Sequence, residues 1–432
     1  MKSFDSLSEK ISVIGLGYVG LPLSLLLARK FQIIGFDTDI SKIEKLRKGI
    51  NPITEPGVDE LISNSVIMNH INLSDNPADL KESKIKIITV GTPYDPNNDY
   101  IDYSQLSSAL DLLKGNLNPG DIVVLKSTVP PGTTNNVVRN RIISYGFRVP
   151  EDVGLAFSPE RMVEGQAIRD FTSLPKIIGA SDPETSAIVT EVIGSLGGRI
   201  VHVSSPETAE MVKMVDNYSR YVFLGLTNEI ALVSEKVGVD VLELLSAAKQ
   251  DYPRNAGLMI PGPGVGGSCL NKDPFILKAD LRKKSLNLRM VDAAADVNRS
   301  IPMHVADLVT RFSNNRRKVV IAGVAFKNDT DDIRYTPTFE VADILKSRQY
   351  EITLSDPFVN IPNITIHHNI YKSLIGSEIL LLLTDHTEYK ELDLRRLKLI
   401  MGSRPLIIDT RGIISKDHAV TMDFEYHGFG RL

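Results

Sequence analysis

The feature that most limits what this chain can become is the run Gly15-Leu16-Gly17-Tyr18-Val19-Gly20. It sits directly behind the β-branched stretch Ile11–Ile14 and ahead of the apolar-periodic stretch Leu21–Arg29. Strand, glycine turn and helix in that order form the opening unit of a doubly wound α/β sheet that cradles a pyrophosphate. Gly15 permits the tight turn, Gly17 lets backbone approach the phosphates and Gly20 lets helix and strand pack closely, while the helix N-terminus supplies partial positive charge. Tyr18 and Val19 complete the loop. A second apolar run, Gln32–Phe36, ends at Asp37, where an acid grips the ribose hydroxyls of a dinucleotide. Asp37 repels a 2′-phosphate, and neither Thr38 nor Asp39 supplies an arginine for one, so NAD is expected rather than NADP. Lys42, a turn further on, is a candidate for the cofactor phosphates.

The alternation continues. Ile85–Val90, Ile122–Leu125, Gly154–Phe157, Lys176–Ile178 and Ile200–Val203 read as further strands between amphipathic stretches, the pattern of a parallel sheet flanked by helices. Glu207 to Gly238 carries no strand pattern, and Val241–Lys249, Pro274–Lys284 and Met290–Phe312 are helix-like. Beyond the polar junction Asn314–Lys318, strands return at Val319–Ala322, Glu351–Leu354, Ile379–Leu383 and Leu406–Ile408. The expected fold is α/β, with two Rossmann-like domains of parallel sheet, residues 1–205 and 314–432, joined by a central helical domain, residues 206–313.

Composition narrows the function. With 49 Lys+Arg against 53 Asp+Glu and a net charge of −4, no global basic field exists to recruit nucleic acid. The single cysteine excludes an intrachain disulfide framework, and the eight His residues lack the spacing of a metal site, so no metal is expected. Met1 to Lys10 is polar with no apolar core, and apolar runs such as Ile379–Leu383 fall short of the ~20 residues a membrane span needs. A soluble, cytoplasmic chain with no membrane partner is expected.

Two more loops follow strands of the first sheet, where ligands of open α/β sheets bind. They are Val90-Gly91-Thr92-Pro93 and Ser127-Thr128-Val129-Pro130-Pro131-Gly132-Thr133. Thr92 and Thr128 are candidates for the nicotinamide half, with helix capping the competing role. The most informative segment is Pro261-Gly262-Pro263-Gly264-Val265-Gly266-Gly267-Ser268-Cys269-Leu270-Asn271-Lys272-Asp273-Pro274. Its glycines let backbone come close to a ligand. A thiol just ahead of a helix and beside Lys272 is placed to attack as thiolate. The competing role for a lone cysteine is that of a buried small hydrophobe.

Six separated segments in order resemble the nucleotide-sugar dehydrogenase family of UDP-glucose, UDP-N-acetylmannosamine and GDP-mannose dehydrogenases. They are GLGYVG, STVPPGTT, SPER, the Glu210–Asn217 helix, GVGGSCLNKD, and Gly323-Val324-Ala325-Phe326-Lys327 with Thr330-Asp331-Asp332-Ile333-Arg334. The resemblance implies oxidation of the C6 alcohol of a UDP-sugar to a carboxylate with two NAD⁺, in a homodimer. Cys269 then captures the C6 aldehyde as a thiohemiacetal that becomes a thioester. Lys213 and Asn217, four apart on one helix, stabilise the oxyanion. Asp273 assists proton transfer, and Glu160 positions the hydrolytic water with Thr128 as partner. Glu164 and Lys272 lie near the cofactor, and Arg334 joins the ligand domains beside it. The substrate is met by Arg161, by the loop Leu258-Met259-Ile260-Pro261-Gly262, by Gly266, by Lys327 and, across the dimer, by Arg254.

The motifs disagree on the sugar. Ser158-Pro159-Glu160-Arg161 resembles the 2-acetamido branch, whereas Ser268 and Lys272 resemble the glucose branch. The SPER segment bears on the sugar pocket and favours UDP-N-acetylmannosamine over UDP-N-acetylglucosamine. Two other classes compete, a non-catalytic nucleotide-sugar sensor and a two-electron 3-hydroxyacid dehydrogenase that uses a Lys without a thiol. The long helix presents Val222, Leu226 and Ile230 as candidate dimer contacts or core residues.

Overall fold

The computed structural model describes residues 4–5 and 8–431, so part of the Met1–Lys10 segment lies outside the described residues. Contacts divide the chain into two compact units. One runs to Asp216 and includes Ala279–Lys284; the other comprises Asn217–Lys278 and the chain from Ser285 onward.

The first unit holds β1 (Lys10–Ile14), β2 (Gln32–Phe36), β3 (Ile71–Ser74), β4 (Ser83–Ile88), the two-stranded hairpin β5 (Tyr94–Asp95) and β6 (Tyr100–Ile101), β7 (Ile122–Leu125), β8 (Gly154–Phe157), β9 (Lys176–Ala180) and β10 (Ile200–Val203). Apart from the hairpin these form one sheet in the order β10-β9-β8-β7-β4-β1-β2-β3. The chain order therefore reverses between β1 and β4, the position at which doubly wound sheets open a crevice for a ligand. Inner strands such as β7 and β8 read as continuous apolar runs because both faces are covered. Ile85 and Ile87 of β4 enter one core and Ile88 the other, and in β7 Ile122 and Val124 alternate with Val123 and Leu125 in the same way.

The expectation of a parallel sheet needs one correction. β9 runs antiparallel to β8, with Ala156 opposite Ala180 and Phe157 opposite Gly179, before β10 resumes parallel to β9. An antiparallel neighbour needs no crossover, so the connection stays at one end of the sheet. That connection opens with Ser158-Pro159-Glu160-Arg161, directly after the carboxyl end of β8, and includes α2 (Ala167–Ser173). α1 (Gly20–Leu27) follows the glycine turn.

α3 (Pro206–Val237) starts in the first unit and continues into the second. The second unit adds α4 (Val241–Lys249), α5 (Asp273–Arg282, ending in the first unit) and α6 (Arg289–Phe312). Its sheet orders β13 (Ile366–His367), β12 (Glu351–Ser355), β11 (Lys318–Ala322), β14 (Ile379–Leu382), β15 (Leu406–Asp409) and β16 (Glu425–Gly428), all parallel. The strand order repeats that of the first unit's opening strands, with the reversal between β11 and β14. On α3, Leu226 is exposed, whereas Val222 and Ile230 are half-buried against cores of the second unit. Among the described residues no helix is long and apolar enough to cross a membrane.

One charge pair lies wholly inside the first unit. Lys86, on β4 between Ile85 and Ile87, is 0% exposed and stands 2.5 Å from Asp121 Oδ2. Burial pulls its ammonium down from the ordinary lysine range, and Asp121 opposes that. Removing one partner of such a pair strands the other without compensation, whereas replacing both with apolar groups does not. Asp121→Ala is expected to destabilise the protein by roughly 3–5 kcal/mol in urea unfolding, and Lys86→Met/Asp121→Leu to recover most of that loss. An Asp121→Ala variant within about 1 kcal/mol of wild type would contradict this.

Candidate active site

The glycine turn of the first unit is closed by sterics and by one carboxylate. Gly15 has φ +98°, and its N–H donates to Phe36 O at 2.8 Å. A Cβ on Gly20 would stand 1.8 Å from Gly15 O, whereas at Gly17 nothing lies within 4 Å. The turn therefore tolerates no side chain on its inner side and leaves open space at the outer glycine. Asp37, almost fully buried at the end of β2, accepts Leu16 N–H at 2.8 Å and Lys42 Nζ at 2.6 Å on Oδ2, and Asp39 N–H at 2.9 Å on Oδ1. Lys42 is thus engaged with the acid. Tyr18 and Val19 are half-buried on the turn. An acid beside the turn, an open glycine and the start of α1 together fit a dinucleotide.

The two adjoining loops are tied to each other. Thr92, buried, donates its hydroxyl to Thr128 O, and Thr128 itself is half-buried. The far end of the second loop is gripped by Glu210 on α3, which accepts Gly132 N–H at 2.5 Å, Thr134 N–H at 2.7 Å and the Thr134 hydroxyl. Burial pushes the Glu210 carboxyl up to about 7, against those donors.

Glu160 and Arg161 follow β8. Glu160 Oε1 accepts the N–H groups of Arg161 and Met162 at 2.8 and 2.9 Å, and Oε2 lies 3.4 Å from the ammonium of Lys126. Arg161 sets a two-pronged fork on Asp216 of α3, Nε to Oδ2 at 2.6 Å and Nη2 to Oδ1 at 3.1 Å. The half-buried Glu164 sits in a loop whose backbone is held by buried Glu55, accepting from Gly165 and Ala167, and by Asp170, accepting from Val163. Lys213 is half-buried on α3 and acts electrostatically on Lys126.

In the second unit, Cys269 is exposed and its carbonyl accepts Asp273 N–H at 2.9 Å at the start of α5. The buried side chains of Asn217 and Asp273 meet, Nδ2 donating to Oδ2 at 2.6 Å, and Lys272 Nζ stands 3.4 Å from Asp273 Oδ1. Asn271 Nδ2 donates to Val265 O and Gly267 O, and Gly267 N–H to Arg334 O at 2.8 Å. Phe326 packs against Gly266, where a Cβ would stand 2.2 Å from its own. Arg334 is forked on Asp332, and Lys327 is half-buried. In the loop Leu258–Gly262, Leu258 and Met259 are half-buried, Ile260 is exposed, and Pro261 and Gly262 are buried, with Gly262 N–H donating to Asn228 Oδ1. Arg254 is exposed, 5.8 Å from the Tyr252 ring.

The second sheet repeats the glycine turn with a different outcome. Gly323 has φ +102°, and Asp356 at the end of β12 accepts Val324 and Ala325 N–H on Oδ2 and Phe358 and Val359 N–H on Oδ1. His386 Nδ1 accepts Asp329 N–H, so its Nε2 carries the proton and donates to Asp356 Oδ2 at 3.1 Å. Five donors saturate this carboxylate, and Asp356 is 0% exposed.

The sequence reading gives no role to Lys126, Asp216, Asn228 or Phe326, although Asp216 and Phe326 lie inside quoted segments. Lys126 directly precedes Ser127-Thr128, and Asp216 directly precedes Asn217, so adjacency to a motif was the available signal.

These features define a pair of α/β folds, the first fingerprinted for a dinucleotide. Residues 9–196 match the NAD binding domain of the UDP-glucose/GDP-mannose dehydrogenase family, 207–300 its central domain and 320–416 its UDP binding domain. The UDP-N-acetyl-D-mannosamine dehydrogenase of Pyrococcus horikoshii is 29% identical over 429 residues, 98% of this chain and 99% of that protein. A structure of that enzyme superposes with a TM-score of 0.87 at 30% identity, covering 98% of this chain and 99% of the other. The NDP-N-acetyl-D-galactosaminuronic acid dehydrogenase of Ralstonia nicotianae is 31% identical over 430 residues, 96% of this chain and 98% of that protein. The chain belongs to the UDP-glucose/GDP-mannose dehydrogenase family and is an NAD-dependent nucleotide-sugar dehydrogenase, an oxidoreductase.

Two outcomes follow from this geometry. Asp37→Ala releases Leu16 N–H and Lys42 together, and is expected to raise the KM for NAD about tenfold or more while leaving that for the sugar nucleotide within about twofold; equal effects on both would contradict it. For Glu210 the folded carboxyl holds its proton up to about 7 against an ordinary value of 4.5, so the folded state binds more protons in that window and stability is lost as pH rises through it. The unfolding free energy should fall between about pH 5 and about pH 8, and Glu210→Gln should flatten that slope.

Proposed function

We propose that this enzyme removes two hydrides from the C6 carbon of UDP-N-acetyl-D-mannosamine, passing through a covalent bond to Cys269 and releasing the uronate. The observation that carries the reading is the exposed thiol of Cys269, joined through its own carbonyl to the buried Asp273–Asn217 pair. NAD⁺ bound at the first glycine turn would accept one hydride per molecule, so two molecules bound in succession would supply the oxidising power.

The thiolate of Cys269 adds to the C6 aldehyde, forming the C–S bond and placing negative charge on the former carbonyl oxygen. Lys213 and Asn217 donate to that oxyanion, and preorganised donors at such an atom are worth several kcal/mol in the transition state. After the second oxidation the carbon is a thioester. Water oriented by Glu160, with Thr128 as partner, adds to it; the C–S bond breaks, the sulfur takes back a proton with help from Asp273, and the other proton leaves to solvent. Splitting the oxidation in this way keeps the aldehyde bound.

Cofactor contacts are assigned to Gly15, Gly17, Tyr18, Val19, Gly20, Asp37 and Lys42 on the first turn, and to Thr92, Thr128, Glu164, Lys272 and Arg334. Substrate contacts are assigned to Arg161, the loop Leu258–Gly262, Gly266 and Lys327. Arg254 reaches the substrate of a second copy in a homodimer. The exposed Leu226, with Met211, Val215, Phe223 and Val233, supports a helix contact between copies. Residues 1–205, 206–313 and 314–432 serve as cofactor, central and UDP-sugar domains of a cytoplasmic enzyme that supplies uronate for polysaccharide synthesis.

The names of the P. horikoshii relative and its structure, together with the SPER segment, support the mannosamine sugar. The Ralstonia relative and the Ser268 and Lys272 residues keep UDP-N-acetylgalactosamine, UDP-N-acetylglucosamine and UDP-glucose in the comparison. Purified protein supplied with each sugar nucleotide should show its highest kcat/KM with UDP-N-acetyl-D-mannosamine and yield two NADH per sugar. Cys269→Ala should form no uronate while binding NAD as wild type does. One NADH per sugar, or full four-electron turnover by Cys269→Ala, would overturn the covalent route, and a higher kcat/KM with another sugar would overturn the substrate.

A further inference from the structure

Lys126, next after β7, is a buried lysine that the chemistry above does not use; burial pulls its ammonium down from the ordinary lysine range and Glu160 opposes that. Its side chain is 1% exposed, with Nζ 3.4 Å from Glu160 Oε2, 3.1 Å from Ser158 O and 6.0 Å from the centre of the Phe171 ring. An ammonium removed from water persists only where a counter-charge and acceptors replace its hydration. Ser158 O and Glu160 are those partners, the two ends of Ser158-Pro159-Glu160. Glu160 in turn is held on both oxygens, by the N–H groups of Arg161 and Met162 on Oε1 and by Lys126 on Oε2, yet keeps a side-chain exposure of 14%. It is therefore a carboxylate fixed in orientation that still faces solvent.

Two further cations act on this pair: Lys213 of α3 on Lys126, and Lys176 of β9 on both Lys126 and Glu160, Lys176 itself also being acted on by Asp170 of α2 and by Arg161. Lys176 donates to Leu174 O at 2.7 Å, and Arg161 is forked on Asp216. Among the described residues, Lys126 is the cation in ion-pair contact with Glu160.

We infer that Lys126 is a positioning residue for the hydrolytic half of the reaction: it holds the Glu160 carboxylate in its orientation, so that Glu160 accepts a hydrogen bond from the water that releases the Cys269 acyl group. This rests on the role proposed for Glu160. Without Lys126, Glu160 loses the partner that fixes Oε2; removing the counter-charge beside a partly buried carboxylate favours its neutral form, which accepts less well from water.

The test compares wild type with Lys126→Met, Lys126→Gln and Lys126→Arg under saturating NAD and UDP-N-acetyl-D-mannosamine, reading the pH profile of kcat. Lys126→Met and Lys126→Gln should move the acidic limb upward by about one pH unit or more, with the sugar KM within about twofold. Lys126→Arg should restore the limb toward its wild-type position. A purely structural lysine would lower the melting temperature and leave the limb in place, so any folded neutral variant with a wild-type limb overturns the inference. Should the neutral variants fail to fold, Glu160→Gln, which retains Lys126, must abolish the limb; a limb that survives this change overturns the inference as well. The parent reading is tested separately by wild type in the same assay. Fewer than two NADH per sugar defeats that reading, whereas two NADH with an unmoved limb defeats only the role of Lys126.

Discussion

Both α/β units are organised around one contact: the carboxylate at the end of the second strand takes the N–H of the residue after a left-handed glycine. Asp37 does so with Leu16 behind Gly15, and Asp356 with Val324 behind Gly323. The contact bends the chain out of the first strand and fixes where the following backbone points. In the first unit the acid has three donors and the glycine at position 17 looks onto open space, so the turn is left able to receive a ligand. In the second unit five donors, among them His386, consume every lone pair of Asp356, and the device serves only to hold the loop. Two copies of one fold thus come to differ in what they can bind through the occupancy of a single carboxylate.

Much of the architecture is legible in the chain because buried parallel strands write themselves as unbroken apolar runs. Gln32–Phe36, Ile122–Leu125 and Gly154–Phe157 are read with the bounds they have in the structure, and so is the half-exposed edge strand Ile200–Val203. β3 is less visible, since Ile71-Asn72-Leu73-Ser74 lies at a sheet edge and is mostly half-exposed, and β13 is two residues long. The direction of β9 is not legible at all. A strand's apolar pattern is the same whichever way it runs, and only the length and route of its connection distinguish the two.

The candidate site divides along similar lines. Glycines, the thiol and the Ser-Pro-Glu-Arg segment are conspicuous because their local chemistry is unusual. The groups that hold them are ordinary residues distant in sequence: Asp216 behind Arg161, Asn228 behind Gly262, Phe326 behind Gly266, Glu55 behind the loop of Glu164. Such pairings are made by the fold; the sequence shows at most that Asp216 and Phe326 adjoin residues of a motif. The same holds for Lys126, whose partners Ser158 and Glu160 come from the neighbouring strand's loop.

The account stands on a covalent bond between the substrate carbon and Cys269. Acid quenching of wild-type enzyme during turnover with NAD and UDP-N-acetyl-D-mannosamine, followed by digestion and mass spectrometry, reads that bond directly. The account predicts a peptide containing Cys269 that carries the sugar-nucleotide acyl group. The same peptide unmodified throughout, while uronate accumulates at an undiminished rate, would contradict it.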